Sequence, residues 1–352
     1  MRSSSSLVAR GAGFAVGTWV RRTVVCLGLA LLAFGAAQTC EEGQRLFEHE
    51  LLATDPVCIP ETPERILALD MASVEMTLLT GKNLVGTANW ILNELPLLEP
   101  RFAEALAEVT DVGYPADLET TLLLEPDLIL AVGTSAAGDT IDASAASKIA
   151  PVVLADPAVF EDWQLAMSFW AEVLGAEELY ARMIENYDAR VSELRAELGD
   201  VSDMTVSLVA VAAGNVYMWM PDTAPGSILD DVGFARPASQ ALTGEAARER
   251  YGSAQYIQVS QERFDLLEAD VIFYYTYAAS DPETAEEEAG NVRALEQNPL
   301  WQSLRAVQAG NAYFVPGYWW RAQTYLLANK VLDDIFTYLA GVEADTPVLE
   351  LP

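Results

Sequence analysis

Residues 176–198 read AEELYARMIENYDARVSELRAEL and predict one long helix in the middle of the chain. Its apolar positions recur every three or four residues, which is the pattern of an α-helix with one apolar stripe. The stripe consists of Leu179, Met183, Ile184, Tyr187, Val191, Leu194 and Leu198. At 1.5 Å per residue the helix would be about 35 Å long. Gly175 separates it from an earlier helical segment, so two helices are predicted between Phe160 and Gly199.

Short apolar runs alternate with helical patterns on the N-terminal side of this long helix. Ser73 is predicted to cap a helix that runs to Gly81, with Glu75 as an acid in its first turn. Strands are predicted at Arg65–Leu69, Leu84–Gly86, Leu128–Val132 and Pro151–Leu154. This alternation indicates an α/β layer.

The C-terminal side repeats the alternation. Strands are predicted at Val206–Val211, Val271–Tyr275 and Ala312–Val315, and helices at Ser227–Val232, Pro299–Val307 and Thr324–Leu339. The acid-rich run Asp281–Gly290 is interpreted as a solvated loop. The predicted fold class is therefore α/β, with two α/β lobes joined by one long connecting helix. The expected divisions are an N-terminal lobe at 38–160, a helical segment with the interlobe helix at 161–199, and a C-terminal lobe at 200–352.

Residues 1–37 have the order of an export signal. Arg21 and Arg22 precede an apolar run from Thr23 to Phe34, and small residues follow at 35–37. The run is about a dozen residues, whereas a membrane-spanning helix needs roughly 20. The mature chain is therefore predicted to begin near Gln38, outside the cytoplasm. The adjacent arginines leave both the general secretory route and the twin-arginine route open.

Cleavage at that point would remove Cys26 and leave two cysteines, Cys40 and Cys58. An even pair in an oxidising compartment predicts a disulfide, worth about 3 kcal/mol by the loop-entropy argument. A lipid-modified Cys40 is an alternative, although Ala37-Gln38-Thr39 lacks the usual aliphatic and small pattern of a lipidation site. A reactive or metal-binding cysteine pair is the remaining interpretation.

The charge balance excludes several classes of partner. The chain has 20 Lys and Arg against 52 Asp and Glu, a formal net charge of −32. Loss of residues 1–37 removes four Arg and no acid, which leaves 16 basic residues and a net charge of −36. Such a chain repels nucleic acid and anionic lipid. His49 is the single histidine, so metal sites of several imidazoles and His-based catalytic triads cannot be assembled.

Several short motifs occur in an order that is typical of one family. They are Cys58-Ile59-Pro60, Pro63-Glu64-Arg65-Ile66, Leu84-Val85-Gly86, Asp117-Leu118-Glu119, Leu124-Glu125-Pro126-Asp127-Leu128-Ile129 and Ile149-Ala150-Pro151-Val152-Val153, followed by Ile257–Glu262, Leu267–Phe273, Pro299-Leu300-Trp301 and Gly310-Asn311-Ala312-Tyr313. Residues from about 58 to 340 thereby resemble the substrate-binding proteins of ABC importers for ferric siderophores, haem and cobalamin. The resemblance implies a ligand cleft between the two lobes.

Aromatic residues follow the predicted strands, where open α/β sheets present their ligands. Arg321 would supply a counter-charge in a chain with few bases, so the expected ligand has planar, partly apolar faces and a negative charge. The ligand-binding candidates are Trp90, Tyr114, Tyr217, Trp219, Tyr275, Tyr277, Trp319, Trp320 and Arg321, with Met218, Met220 and Tyr318 beside them. An aromatic stripe is more often core than binding site, and this interpretation stays open for each ring.

The resemblance also implies two permease-docking carboxylates, one on each lobe, and the matching positions are Glu119 and Glu262. Each is predicted near the start of a helix, where the helix dipole favours an acid. The expected contact is with arginines of an ABC permease in the inner membrane. A plain N-terminal helix acid is the alternative for both.

The chain is therefore expected to be a periplasmic binding protein that delivers a ferric siderophore. It is expected to be a monomer. Haem or cobalamin in the same fold is the alternative ligand. No intrinsic cofactor is expected, since Fe(III) arrives already chelated. Tyr274-Tyr275 could bind bare Fe(III), but neighbouring strand residues point to opposite faces. A carboxylate-based hydrolase is the remaining alternative, and the sequence has neither a phosphate-binding Gly-rich loop after the first strand nor a G-x-S-x-G motif.

Overall fold

The computed structural model describes residues 39–133, 140–160, 162–276 and 282–350. The predicted signal segment 1–37 and Tyr277 lie outside these ranges. The lobe boundaries given above stay predictions. The fold class is confirmed, because the described chain builds two separate five-stranded sheets with helices packed around them.

The first sheet is parallel and has five strands within the described residues. In chain order these are β3 (Arg65–Ala68), β4 (Asn83–Thr87), β5 (Thr110–Asp111), β6 (Leu128–Val132) and β7 (Val152–Ala155), after a two-stranded ribbon of β1 (Gln44–Phe47) and β2 (Val57–Pro60). The spatial order is β5-β4-β3-β6-β7. β6 and β7 are buried on both faces, which explains why parallel strands appear in the sequence as unbroken apolar runs.

The second sheet also has five strands in the described chain and is mixed. Its strands are β8 (Val206–Ala212), β9 (Asn215–Trp219), β10 (Tyr256–Val259), β11 (Val271–Thr276) and β12 (Ala312–Phe314), in the spatial order β10-β9-β8-β11-β12. β11 and β12 run parallel to β8, while β9 is antiparallel to both β8 and β10. No strand was predicted between Val206–Val211 and Val271–Tyr275, so β9 and β10 are additional to the prediction. Ala213 and Gly214 both have positive φ and form a tight turn that sends β9 back along β8.

The helices fill the connections between strands. In the first half they are α1 (Met71–Leu79), α2 (Asn89–Leu98), α3 (Ala103–Ala107), α4 (Leu118–Leu123), α5 (Ala143–Ala146) and α6 (Trp163–Leu174), and then comes α7 (Glu177–Leu198). In the second half they are α8 (Ala224–Val232), α9 (Gly244–Tyr251), α10 (Pro282–Glu296), α11 (Pro299–Gln302), α12 (Arg305–Ala309) and α13 (Tyr325–Ile335). No helix of the described ranges is both long and apolar enough to span a bilayer.

The long helix α7 is confirmed as the connection between the two halves. Gly175 ends α6 with a left-handed φ of 66°, a conformation that glycine adopts at little cost. The apolar stripe of α7 is buried as predicted at Leu179, Met183, Tyr187, Val191 and Leu194, and it packs against α6, α8 and α13. One continuous apolar core thus includes residues from both halves.

Cys40 and Cys58 form the predicted disulfide, with their Cα atoms 5.5 Å apart. The bond joins the start of the described chain to β2, which pairs with β1. A sulfur atom in a disulfide cannot also carry a lipid, so a single chain cannot satisfy both predictions for Cys40.

Several element boundaries differ from the predictions. Asp281–Gly290 was predicted as a loop, but helix α10 covers most of it, because Glu288 turns inward and accepts hydrogen bonds from the Ala213 amide and the Thr276 hydroxyl. The predicted helix Pro299–Val307 is two short helices, since Leu304 is extended. Thr223 caps α8, which begins at Ala224, three residues before the predicted start. α13 ends at Ile335 and continues as a π-helical turn that runs to Ala340.

The cap of α1 was also predicted wrongly. Asp70, and not Ser73, is the N-cap, and its carboxylate accepts hydrogen bonds from the Ala72 and Ser73 amides. Ser73 is the third residue of the helix, and its hydroxyl accepts a hydrogen bond from the Asp70 amide, which completes a capping box. Glu75, predicted as a first-turn acid, is fully buried, and its Oε1 accepts a 3.1 Å hydrogen bond from the Leu326 amide of α13.

The buried Glu75 is expected to make stability depend on pH. Burial raises the pKa of the Glu75 carboxyl from an ordinary 4.5 to about 7. The folded protein therefore holds this proton more tightly than the unfolded chain, and the resulting stabilisation is complete below pH 4.5 and lost as the pH rises through about 7. We expect Glu75→Gln to raise the free energy of unfolding by roughly 3 kcal/mol at pH 8 and to change it little at pH 4.5.

Urea denaturation of both proteins between pH 4.5 and pH 8 checks this expectation. Part of the pH dependence of stability will remain in Glu75→Gln because of Asp231. Burial raises the pKa of the Asp231 carboxyl to about 6, and the Tyr187 hydroxyl donates to it. A stability gain in Glu75→Gln that is the same at every pH would contradict a titrating Glu75.

Candidate ligand-binding site

A cavity of about 270 Å³ lies between residues of the two halves of the chain. From the first half it is lined by residues that include Leu69, Asp70, Met71, Trp90, Tyr114 and Phe160. These all follow the carboxyl ends of strands of the first sheet, as predicted for an open α/β sheet. From the second half the lining includes Trp219, Thr223, Gln255, Trp320, Arg321 and Gln323.

Aromatic rings form both sides of this cavity. On the first-half side, Trp90 and Tyr114 meet edge to face with their ring centres 6.4 Å apart. On the other side, Trp219 and Trp320 meet edge to face at 5.0 Å. Large rings on opposite walls suit a ligand with extended apolar faces.

The predicted ligand residues are not all in the cavity wall. Trp90, Tyr114, Trp219, Trp320 and Arg321 line it, whereas Tyr275 and Trp319 are fully buried. Tyr275 lies behind the wall, 6.4 Å from both the Trp219 and the Trp320 ring centres. Trp319 packs on Phe273 and Tyr275 and donates its indole N–H to Asp334 at 2.6 Å, and Tyr318 donates to the same carboxylate.

The strand period explains where the residues of β9 point. Val216 and Met218 are buried in the core on one face of the second sheet, and Met220 joins the same core. Tyr217 and Trp219 point to the opposite face, where Tyr217 contacts Tyr256 at 5.9 Å but does not line the cavity. Only Trp219 of this stretch therefore reaches the cavity.

Arg321 is already paired. Its Nε and Nη2 donate to the two carboxylate oxygens of Glu94 on α2, at 2.9 and 3.2 Å, and its guanidinium lies 4.7 Å from the Trp90 ring centre. This bidentate pair links the segment after β12 to a helix of the first half. Sequence reasoning missed Glu94, although its spacing from Trp90 carried a signal: residues four apart on a helix share a face.

Buried donor groups lie behind the second-half wall. Nη2 of Arg236 donates to the Trp219 carbonyl and to Gln240, while its Nε and Nη1 have no partner among the described residues. The Tyr275 hydroxyl and the Trp219 indole N–H also have none within those ranges. Burial lowers the pKa of Arg236 to about 10, so its guanidinium stays charged at neutral pH, with Asp230 as the opposing charge. These groups can donate hydrogen bonds to acceptor oxygens of a ligand or of water.

The tyrosine pair Tyr274-Tyr275 points in two directions, as predicted. Tyr274 belongs to the apolar core that contains Val216 and Met218, and its hydroxyl donates to Glu296 at 2.7 Å. Tyr275 belongs to the other core, which includes residues from both halves of the chain. The two hydroxyls therefore cannot bind one ion together. His49 stacks on Phe47 and contacts Phe169, and it does not line the cavity.

Glu119 and Glu262 are both exposed and both lie in the first turn of a short helical segment. Glu119 is in α4, which leads to β6, and Glu262 is in the 3-10 segment Gln261–Leu267, which leads to β11. β6 and β11 occupy equivalent places, each beside the first strand of its sheet. The two carboxylates thus hold corresponding positions in the two halves.

The fold and the cavity define a two-lobed α/β protein with a candidate ligand site between its halves. The family model described as periplasmic binding protein matches residues 66–318, and the chain belongs to this family. A probable siderophore-binding lipoprotein of Bacillus subtilis is 30% identical over 299 residues, which cover 84% of this chain and 87% of the relative. The achromobactin-binding periplasmic protein of Dickeya dadantii is 27% identical over 331 residues, covering 91% and 97%.

The solved structures show the same fold. Staphylococcus aureus SirA, crystallised with staphyloferrin B, superposes with a TM-score of 0.67 at 22% identity and covers 84% of this chain and 98% of SirA. The siderophore periplasmic binding protein from the fuscachelin gene cluster of Thermobifida fusca has a TM-score of 0.60 at 27% identity, with 81% of this chain and 99% of the other covered.

Proposed function

We propose that this protein is the extracytoplasmic ligand-binding component of an ABC importer and that it carries a ferric siderophore. The observation that supports this most is the cavity between the halves, with aromatic rings on both walls and buried donor groups behind one of them. Relatives across most of the chain's length carry names that refer to siderophores. The protein acts by binding and delivery, without turnover.

The iron arrives as a finished chelate. A siderophore occupies the coordination positions of Fe(III), so the protein needs no metal ligands of its own. In the described ranges no group of three or more His, Cys, Asp or Glu side chains is placed to hold a metal ion. The ligand is therefore recognised through its outer surface, by ring contacts and hydrogen bonds.

Delivery would use the two exposed carboxylates. Glu119 and Glu262 lie at corresponding positions of the two halves, so a permease with two arginine pockets can engage both at once. The predicted export signal at residues 1–37 and the Cys40–Cys58 disulfide support a periplasmic protein that has no lipid on Cys40, and we expect it to be a monomer.

A thermal-shift screen tests the proposed function. A ligand that binds only the folded state at one hundred times its dissociation constant stabilises by about 2.7 kcal/mol, so we expect a ferric siderophore to raise the Tm by roughly 5 °C. The iron-free siderophore should give a clearly smaller shift. A shift with haem or cobalamin alone would reassign the ligand, and no shift with any of these compounds would contradict the proposal.

A further inference from the structure

The charges around the cavity are balanced. Arg321 and Glu94 form a bidentate pair, and their side chains are only 24% and 17% exposed. Arg321 also rests on the Trp90 ring, which fixes the guanidinium against the first-half wall. Together the pair presents no net charge to a ligand. A ligand carboxylate that approaches this guanidinium therefore meets the negative charge of Glu94 as well.

The other charged groups near the cavity add no net positive charge. The Asp70 carboxylate lines the cavity and accepts hydrogen bonds from the Ala72 and Ser73 amides at the start of α1. Arg236 lies behind the Trp219 backbone, and Asp230 opposes its charge. Between residues 39 and 352, the stretches outside the described ranges contain Asp139, Glu161 and Asp281 but no Lys or Arg. Among the described residues that line the cavity, Arg321 is the only Lys or Arg.

The charge of a ferric chelate depends on its donor groups. A hydroxamate loses one proton when it binds Fe(III), so three hydroxamates give a chelate of zero net charge. A catecholate loses two protons, so three catecholates give a chelate with three negative charges. A cleft without an unmatched cation, in a strongly acidic protein, repels the trianionic tricatecholate chelate. It accepts the neutral trihydroxamate chelate.

We infer that the cavity selects ferric chelates of zero or positive net charge, of the trihydroxamate kind, and that Glu94 is the residue that sets this selectivity by holding the Arg321 guanidinium. This inference rests on the proposed function and names its ligand class. The neutral side chains Gln255 and Gln323 of the cavity wall agree with it, since hydroxamate and amide oxygens can accept hydrogen bonds from such amides without adding net charge to the site.

The test compares two probes, a neutral ferric trihydroxamate and a trianionic ferric tricatecholate, by quenching of tryptophan fluorescence. The native protein should bind the trihydroxamate at least tenfold more tightly. Glu94→Gln frees the Arg321 charge, and it should shift the ratio of the two dissociation constants at least tenfold in favour of the tricatecholate. The matched control is Glu104→Gln, an exposed acid on α3 whose loss changes the net charge equally.

The double variant Glu94→Gln with Arg321→Gln separates charge from simple damage to the cleft. It removes both charges, so the preference should return to that of the native protein. Equal changes for both probes in Glu94→Gln, or a native protein that prefers the tricatecholate, would overturn the inference. In either case siderophore binding itself, and hence the proposed function, would still stand. A native protein that binds neither probe nor any other ferric siderophore would instead overturn the proposed function.

Discussion

Replacing Glu119 and Glu262 together by lysine is expected to abolish uptake of the iron chelate by cells, while the purified protein keeps its affinity for the ligand. Both side chains are exposed, and neither lines the cavity. Each carboxylate would lose a charge-assisted contact with an arginine of the permease and gain a repulsion in its place. Removing one partner of such a pair costs about 2–5 kcal/mol, so two reversals together are enough to prevent docking.

Two other acids provide the matched control for this experiment. Glu104 in α3 and Glu245 in α9 are also exposed and also lie in the first turn of a helix. Lysine at both of these positions changes the net charge equally and should leave uptake near the native level. Loss of ligand affinity in the Glu119 and Glu262 variant would place these residues in the binding site and contradict the docking assignment.

Replacing Trp219 by alanine is expected to weaken ligand binding about a hundredfold, which corresponds to roughly 3 kcal/mol. Trp219 contacts Trp320, Tyr275 and Tyr256, so its indole is the centre of the second-half wall. Truncation removes a large ring face and opens the wall to water. Isothermal titration calorimetry with a ferric siderophore measures the loss directly.

Two variants on the same strand show whether the effect belongs to the wall. Trp219→Phe keeps an aromatic ring in place and should lose less than tenfold. Tyr217→Ala removes a ring two residues away on the same face of β9, outside the cavity, and should change the affinity less than threefold. If Tyr217→Ala weakened binding as much as Trp219→Ala does, the ligand would lie elsewhere on this face.

The strands and the long helix could be predicted because their signals are local. β6 and β7 are buried on both faces, and so Leu128–Val132 and Val152–Ala155 are continuous apolar runs. The stripe of α7 repeats at the helical period over the whole length of the helix. The hairpin of β9 lacked such a signal, since its turn uses Ala213-Gly214 where Asn-Gly is more usual.

Contacts between distant residues could not be predicted from one sequence. The Glu94–Arg321 pair joins residues 227 positions apart, and Glu75 accepts a hydrogen bond from a residue 251 positions away. Glu288 appears in the sequence as one of many acids in a polar run, yet it turns inward to hold the turn at Ala213. In a chain with 52 acids, the few that are buried are distinguished by their partners, and composition does not reveal the partners.

The most direct test of the central claim is a tryptophan-fluorescence titration of the mature protein with ferric siderophores, each compared with its iron-free form. Trp90, Trp219 and Trp320 line the cavity, so a ligand bound there contacts three fluorophores. We expect saturable quenching at one equivalent, with a submicromolar dissociation constant for at least one ferric siderophore and a much weaker effect of its iron-free form. Absence of saturable quenching across hydroxamate, catecholate and carboxylate chelates would contradict it.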